Sequence, residues 1–163
     1  MGYSDPDGAG VGGWLAFLVL VLAAFRPLAL LISTYSNLYG NPAVPAFYAS
    51  VWTTIQLFEW LLVAATIGGC WYLAWRLNYR QVWRTVQLSV AGLWLLSMGY
   101  QLIEAIGVSL IGGIPTATLL GAIAMPLVQG AIFSSLWTAY LLRSKRVANT
   151  YPRYDREVGE VFT

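Results

Sequence analysis

The sequence contains no histidine, a single cysteine and few charges, with nine Lys or Arg and seven Asp or Glu in 163 residues. Without histidine, histidine-ligated haem, histidine-bound zinc and every Ser-His or Cys-His catalytic arrangement are excluded. Cys70 has no second cysteine in the chain with which to close a disulfide. No Gly-rich phosphate loop occurs, because Gly8, Gly10, Gly12 and Gly13 precede an apolar run with no strand before them. No motif fixes a nucleophile or a metal, so no catalytic residue, metal or cofactor is assigned and a non-enzyme is expected. Only 10% of the residues are charged, against about 25% in soluble domains.

What fills the chain instead is hydrophobic: 58% of residues. Four apolar stretches, at 11–33, 52–75, 86–110 and 117–142, each reach the roughly 20 residues that a spanning helix requires. Segments such as WLAFLVLVLAAF (14–25) and LLVAATIGGCWYLAW (61–75) are apolar all round, which a soluble bundle helix is not. The expected fold is therefore all-α, one integral membrane four-helix bundle over residues 1–163. A cleaved leader fits the first stretch poorly: Asp5 and Asp7 precede it, no Lys or Arg does, and the apolar pattern resumes after Arg26-Pro27.

Basic residues set the expected orientation. Arg76, Arg80 and Arg84 fall between the second and third stretches, and Arg143, Lys145, Arg146, Arg153 and Arg156 follow the fourth. The connections at 34–51 and 111–116 have no Lys or Arg. By the positive-inside rule both termini belong in the cytoplasm. Arg76, Arg80 and Arg84 would share one face, interleaved with Trp75, Tyr79 and Trp83, if the second helix continued beyond the membrane. Together with Arg143, Lys145 and Arg146 they are candidates for anionic lipid headgroups. Nucleic acid is a poor partner for so small a basic surface pressed against headgroups. The loop 34–51, with Gly40, Pro42 and Pro45, is expected to lie along the outer surface, and the tail 143–163 to be a loosely ordered cytoplasmic segment beyond 147.

Three ionisable residues remain inside the apolar stretches: Arg26, Glu59 and Glu104. At 1.5 Å rise per residue they lie roughly 22, 17 and 27 Å above the inner surface, all in the outer half of the hydrocarbon layer. A charge facing lipid near the bilayer centre costs about 3 kcal/mol on the lenient insertion scale, so the three are expected to face one another. Gln56 precedes Glu59 by one helical turn, Gln101 precedes Glu104 likewise, and Gln129 on the fourth stretch is placed to complete a polar ring. One arginine cannot neutralise two carboxylates, so a proton is expected on the second acid. Such a cluster fits a structural ion pair, a proton, cation or polar-substrate site, or an interface with another protein's arginine. Pro27 cannot donate to the carbonyl of Ala23, which predicts a kink and a spare acceptor beside Arg26.

The opening GVGGWLAFLVL from Gly10, the phrase LFEWLL around Glu59 and the ending LVQGAIFSSLWTAYLLRSKRVANTY (127–151) together resemble a bacterial inner-membrane family catalogued only as a domain of unknown function. The resemblance is specific at GGWL, Phe58-Glu59 and Tyr140 to Thr150. It implies four spanning helices and a bacterial inner (cytoplasmic) membrane, and marks Gly12, Gly13, Trp14, Glu59, Ser144, Lys145, Arg146 and Asn149 as recurring features. It implies no activity.

Small residues at Ala64/Gly68, Ala65/Gly69 and Gly130/Ser134 have the spacing that lets helices approach closely. The function expected first is an accessory or assembly subunit, partnered by the lipid bilayer and by other membrane subunits or copies of itself. A small transporter using Glu59 and Glu104 competes with it. Lipid or quinone binding beside Trp60 or Trp94 is the third expectation.

Overall fold

A computed structural model describes residues 11–40 and 48–152. The expectations for Asp5 and Asp7, for Pro42 and Pro45, and for Arg153, Arg156 and the rest of the tail lie outside the described residues.

Four helices are long and apolar enough to cross a membrane: α1 (Trp14–Tyr39), α2 (Trp52–Tyr79), α3 (Trp83–Gly112) and α4 (Thr116–Arg143). A short α5 (Lys145–Thr150) follows, capped by the Ser144 side chain, which accepts from the backbone N–H of Val147. The first helix continues through Thr34 to Tyr39, past the boundary that its polar residues suggested, because Ser33, Ser36 and Asn37 are carried on an exposed flank while Thr34 and Leu38 are buried. The third starts at Trp83. The helix ends that carry Trp14, Tyr79, Trp83 and Arg143 form the basic end of the bundle; the opposite end is the loop end.

α1 packs on α2, α2 on α3 and α3 on α4. Glycines allow the two contacts of α3 with α2 to be close. A Cβ on Gly92 would stand 2.5 Å from Leu73, and one on Gly107 would run into the Phe58 ring. Gly69 receives Leu96 in the same way, and Gly130 of α4 sits against Ser97 of α3. The Ser97 and Ser134 hydroxyls are hydrogen-bonded to each other at 2.6 Å, and both lie within reach of the Leu93 carbonyl, which takes the remaining proton. Of the small-residue pairs, Gly130/Ser134 and Gly69 thus lie in helix contacts, whereas Ala64, Ala65 and Gly68 face outward. α1 and α4 meet through long side chains, Phe17 beside Trp137 and Arg26 over Phe133.

Regular hydrogen bonding is interrupted in two helices by π turns, at Val21–Phe25 in α1 and Leu95–Gly99 in α3. Pro27 explains the first. Its ring removes the N–H that Ala23 would accept, and the turn before it widens so that the Arg26 N–H reaches Val21. The Ala23 carbonyl is taken up by the Trp71 indole N–H at 3.0 Å.

The sealed core occupies the basic half. Leu15, Leu18, Leu22, Leu77, Leu93 and Leu141 are buried there together with Val147 and Tyr151. The tail between 147 and 151 is therefore tied down, and the Tyr151 hydroxyl donates to the Leu77 carbonyl. The outer faces are apolar, with Leu110 80% and Ile32 69% exposed. Burying that surface in water would be unfavourable; acyl chains accommodate it.

Candidate functional site

The loop-end half of the bundle is less closed. Between α1, α3 and α4 lies a crevice of about 420 Å³. α1 contributes Arg26, Ser33 and Asn37, α3 contributes Ser97, Tyr100, Gln101 and Glu104, and α4 contributes Gln129 and Phe133. These are helical stripes. Arg26, Leu30, Ser33 and Asn37 repeat at three to four residues on α1, as Ser97, Gln101 and Glu104 do on α3 and Pro126, Gln129, Gly130 and Phe133 on α4. Ser33 and Asn37 are exposed, which places the mouth toward the loop end, while Arg26 and buried Ser97 form the floor near mid-span.

Arg26 is held by three features of the floor. Its Nη2 donates to the Leu96 carbonyl at 2.6 Å, and that carbonyl belongs to the π turn of α3. Its guanidinium lies 5.6 Å from the centroid of the Phe133 ring, within the range of cation–π attraction. Its Nε is buried without an acceptor. Among the described residues it forms no ion pair with Glu59 or Glu104, the arrangement that the cost of intramembrane charge had suggested. The reason is geometric. Arg26 and Leu96 lie at the same level, whereas Glu104 is eight residues farther along α3, about 12 Å toward the loop end.

Glu104, Gln101 and Gln129 share the crevice with Arg26, but Glu59 and Gln56 do not line it. Glu59 is buried on α2 and lies within electrostatic reach of Glu104. Tyr100 feels both acids and lies close to Thr34. Gln56 turns toward the loop end, its Nε2 donating to the Tyr39 hydroxyl at 3.2 Å. Ser33, Asn37 and Tyr100 were not singled out in the sequence. Had α1 been extended to Tyr39, Asn37 would have joined Ser33, already inside the 11–33 stretch, on the face of Arg26.

The basic residues separate into two groups. α2 stops at Tyr79, so Arg84 belongs to α3 and does not continue a stripe with Arg76 and Arg80. Arg76 donates to the Tyr72 hydroxyl at 2.8 Å, and Arg80 lies over Trp75 at 5.8 Å. Arg143 and Lys145 are exposed. Arg146 instead packs on the opening glycines: a Cβ on Gly12 would stand 3.5 Å from its guanidinium, and one on Gly13, 2.7 Å. The GGWL and SKRVANT segments are thus one contact at the basic end. Elsewhere, Trp60 lines a separate groove with Tyr35 and Tyr39, and Trp94 donates to Thr138 at 3.2 Å.

Four apolar helices around a polar, partly open interior define a multi-pass membrane protein in contact with the bilayer. Residues 8–152 match the family described as "Protein of unknown function (DUF2569)", and the chain belongs to that family. No curated protein and no solved structure matches it.

Proposed function

We propose that this protein is a non-catalytic carrier for a small polar solute, with the crevice of α1, α3 and α4 as its binding site. One observation carries the reading: both helices that form the crevice floor are irregular there, and the third carries a proline on the crevice wall. α1 and α3 have π turns and α4 contains Pro126 inside its helix. Interrupted helices around a mid-bilayer polar site are the architecture by which carriers bind a solute and rock about it. Polar groups at that depth are otherwise costly and commonly mark a pathway. On the same footing we place the basic end in the cytoplasm of a bacterial cell, the chain being in its inner membrane. The uneven distribution of Lys and Arg supports the orientation, and the resemblance noted above supports the bacterial part.

The test is access. In a Cys70→Ser background, Gln129→Cys and Ser33→Cys would be treated with a membrane-impermeant maleimide in right-side-out and inverted vesicles. Reaction from the loop side, and more slowly from the basic side, is expected. Failure of both positions to react from either side, while Arg143→Cys reacts, would sink the carrier.

A second reading has one observation in its favour. A Cβ on Gly68 would meet nothing within 4 Å, and Ala64 and Ala65 are exposed beside it. A close-packing helix from another subunit or another copy would fit that face, as an accessory or assembly subunit requires. Crosslinking at Ala64→Cys would detect such a neighbour.

A further inference from the structure

We infer that the crevice takes a zwitterionic head, an oxyanion and a primary ammonium a few bonds apart, as in ethanolamine phosphate, with the oxyanion at Arg26 and the ammonium at Glu104. This rests on the crevice being the binding site.

Two formal charges of opposite sign line one cavity without meeting. Arg26 is engaged by a carbonyl and an aromatic face, and its Nε has no acceptor. A guanidinium offers five donors in a planar fork suited to phosphate or carboxylate. Glu104 lines the same space, and among the described residues no cation pairs with it. A simple anion would satisfy Arg26 and be repelled by Glu104; a simple cation would do the reverse. Only a ligand that carries both charges compensates both ends, and in low dielectric that difference is large.

Distance limits the ligand further. Leu96, which holds Arg26, and Glu104 are eight residues apart on α3, about 12 Å along the axis. Helical side chains lean toward the helix N-terminus, and that of α3 is at the basic end, so the reach of a side chain at position 104 is toward the floor. Allowing a hydrogen bond of about 3 Å at each end leaves room for a short bridge between the ligand's charges, not a long one. Gln101 and Gln129 line the same crevice and can bond the remaining oxygens and N–H groups. The head could come from a phospholipid, whose chains would leave between α1 and α4, or from a soluble amine phosphate entering at the mouth.

The full chain in phosphatidylglycerol nanodiscs would be titrated calorimetrically with O-phosphoethanolamine, inorganic phosphate and ethanolamine. A parallel set of discs would contain phosphatidylethanolamine, with bound lipid counted by native mass spectrometry. We expect O-phosphoethanolamine, phosphatidylethanolamine or both to bind at least tenfold tighter than phosphate, phosphatidylglycerol or ethanolamine. Which of the two binds identifies the source. Glu104→Gln should weaken that binding at least tenfold and, with the repulsion gone, strengthen phosphate binding. Phosphate binding as tightly as the zwitterion, Glu104→Gln without effect, or no binding by either zwitterionic probe would overturn the ligand class. A ligand class lost while Gln129→Cys still reacts leaves the crevice standing, so the two failures are separable.

Discussion

Trp71 of α2 donates its indole N–H to the Ala23 carbonyl of α1 at 3.0 Å, the acceptor that Pro27 cannot satisfy from within its own helix. The ring is 57% exposed, so its apolar body faces acyl chains while its one polar atom closes a gap in the backbone. In hydrocarbon no water can take the place of that donor.

Replacing the indole therefore has a defined cost. Trp71→Phe should keep the ring's lipid contact and lose about 1 kcal/mol of stability. Reversible unfolding in mixed micelles would measure it, and an unchanged transition would mean that the Ala23 carbonyl finds another donor.

Because Arg26 has no carboxylate partner among the described residues, its removal leaves no buried acid orphaned. Arg26→Met should change stability by no more than about 1 kcal/mol, where breaking a buried ion pair would cost about 3–5. Melting of the purified variant decides between the two. A large drop would restore the ion pair.

The glycine pair at the basic end sets a position that is both strained and crowded beside one that is neither. Gly13 has φ 55° and its missing Cβ would stand 2.7 Å from Arg146 Nη1, whereas a Cβ on Gly12 would meet the same side chain at an ordinary 3.5 Å. Gly13→Ala should cost about 1–3 kcal/mol, and Gly12→Ala should be nearly neutral. Comparison of their thermal midpoints checks both.

Tyr151, beyond the spans, titrates late. Burial, followed by the nearby charge of Tyr140, pushes its phenol up to about 12, above about 10 in an unfolded chain. Its folded form favours the proton, so the contribution is complete below about pH 10 and is lost as pH rises through about 12. Alkaline denaturation in that window should be shallower in Tyr151→Phe than in the unchanged protein, and parallel curves would contradict the assignment.

The spans could be read from the sequence because a run of some 20 apolar residues needs a bilayer whatever its neighbours are. Depth was read less well: counting from segment ends put Glu59 below Arg26, whereas Trp71 of the same helix meets Ala23, so Glu59 lies well above Arg26 and near Glu104. Azimuth was harder. Which way Arg26 points depends on the π turn before it, and although Pro27 signals a break there, nothing comparable marks Leu95–Gly99 in α3. Energetic cost argued correctly that Arg26 would avoid lipid, but a backbone carbonyl and a Phe ring were also available to it. Asn37 was missed because polarity near a helix end reads as loop when the helix is followed only by its apolar run, and Ser33, the last residue of that run, had no polar neighbour one turn before it. The docking of Arg146 on Gly12 and Gly13 joins residues from opposite ends of the described chain, a pairing to which no local pattern points.

A π turn is in effect one extra residue within a helix, and it acts as a phase shifter. Each residue advances the helix by about 100°, so everything from Arg26 to Tyr39 owes its bearing to the widened turn at Val21–Phe25. Shortening that turn by one residue would swing Arg26, Ser33 and Asn37 together out of the crevice while the Leu15 and Leu18 side of α1 stayed in place. The bulge lets one continuous rod satisfy two unrelated demands, an oily seam below and a polar wall above.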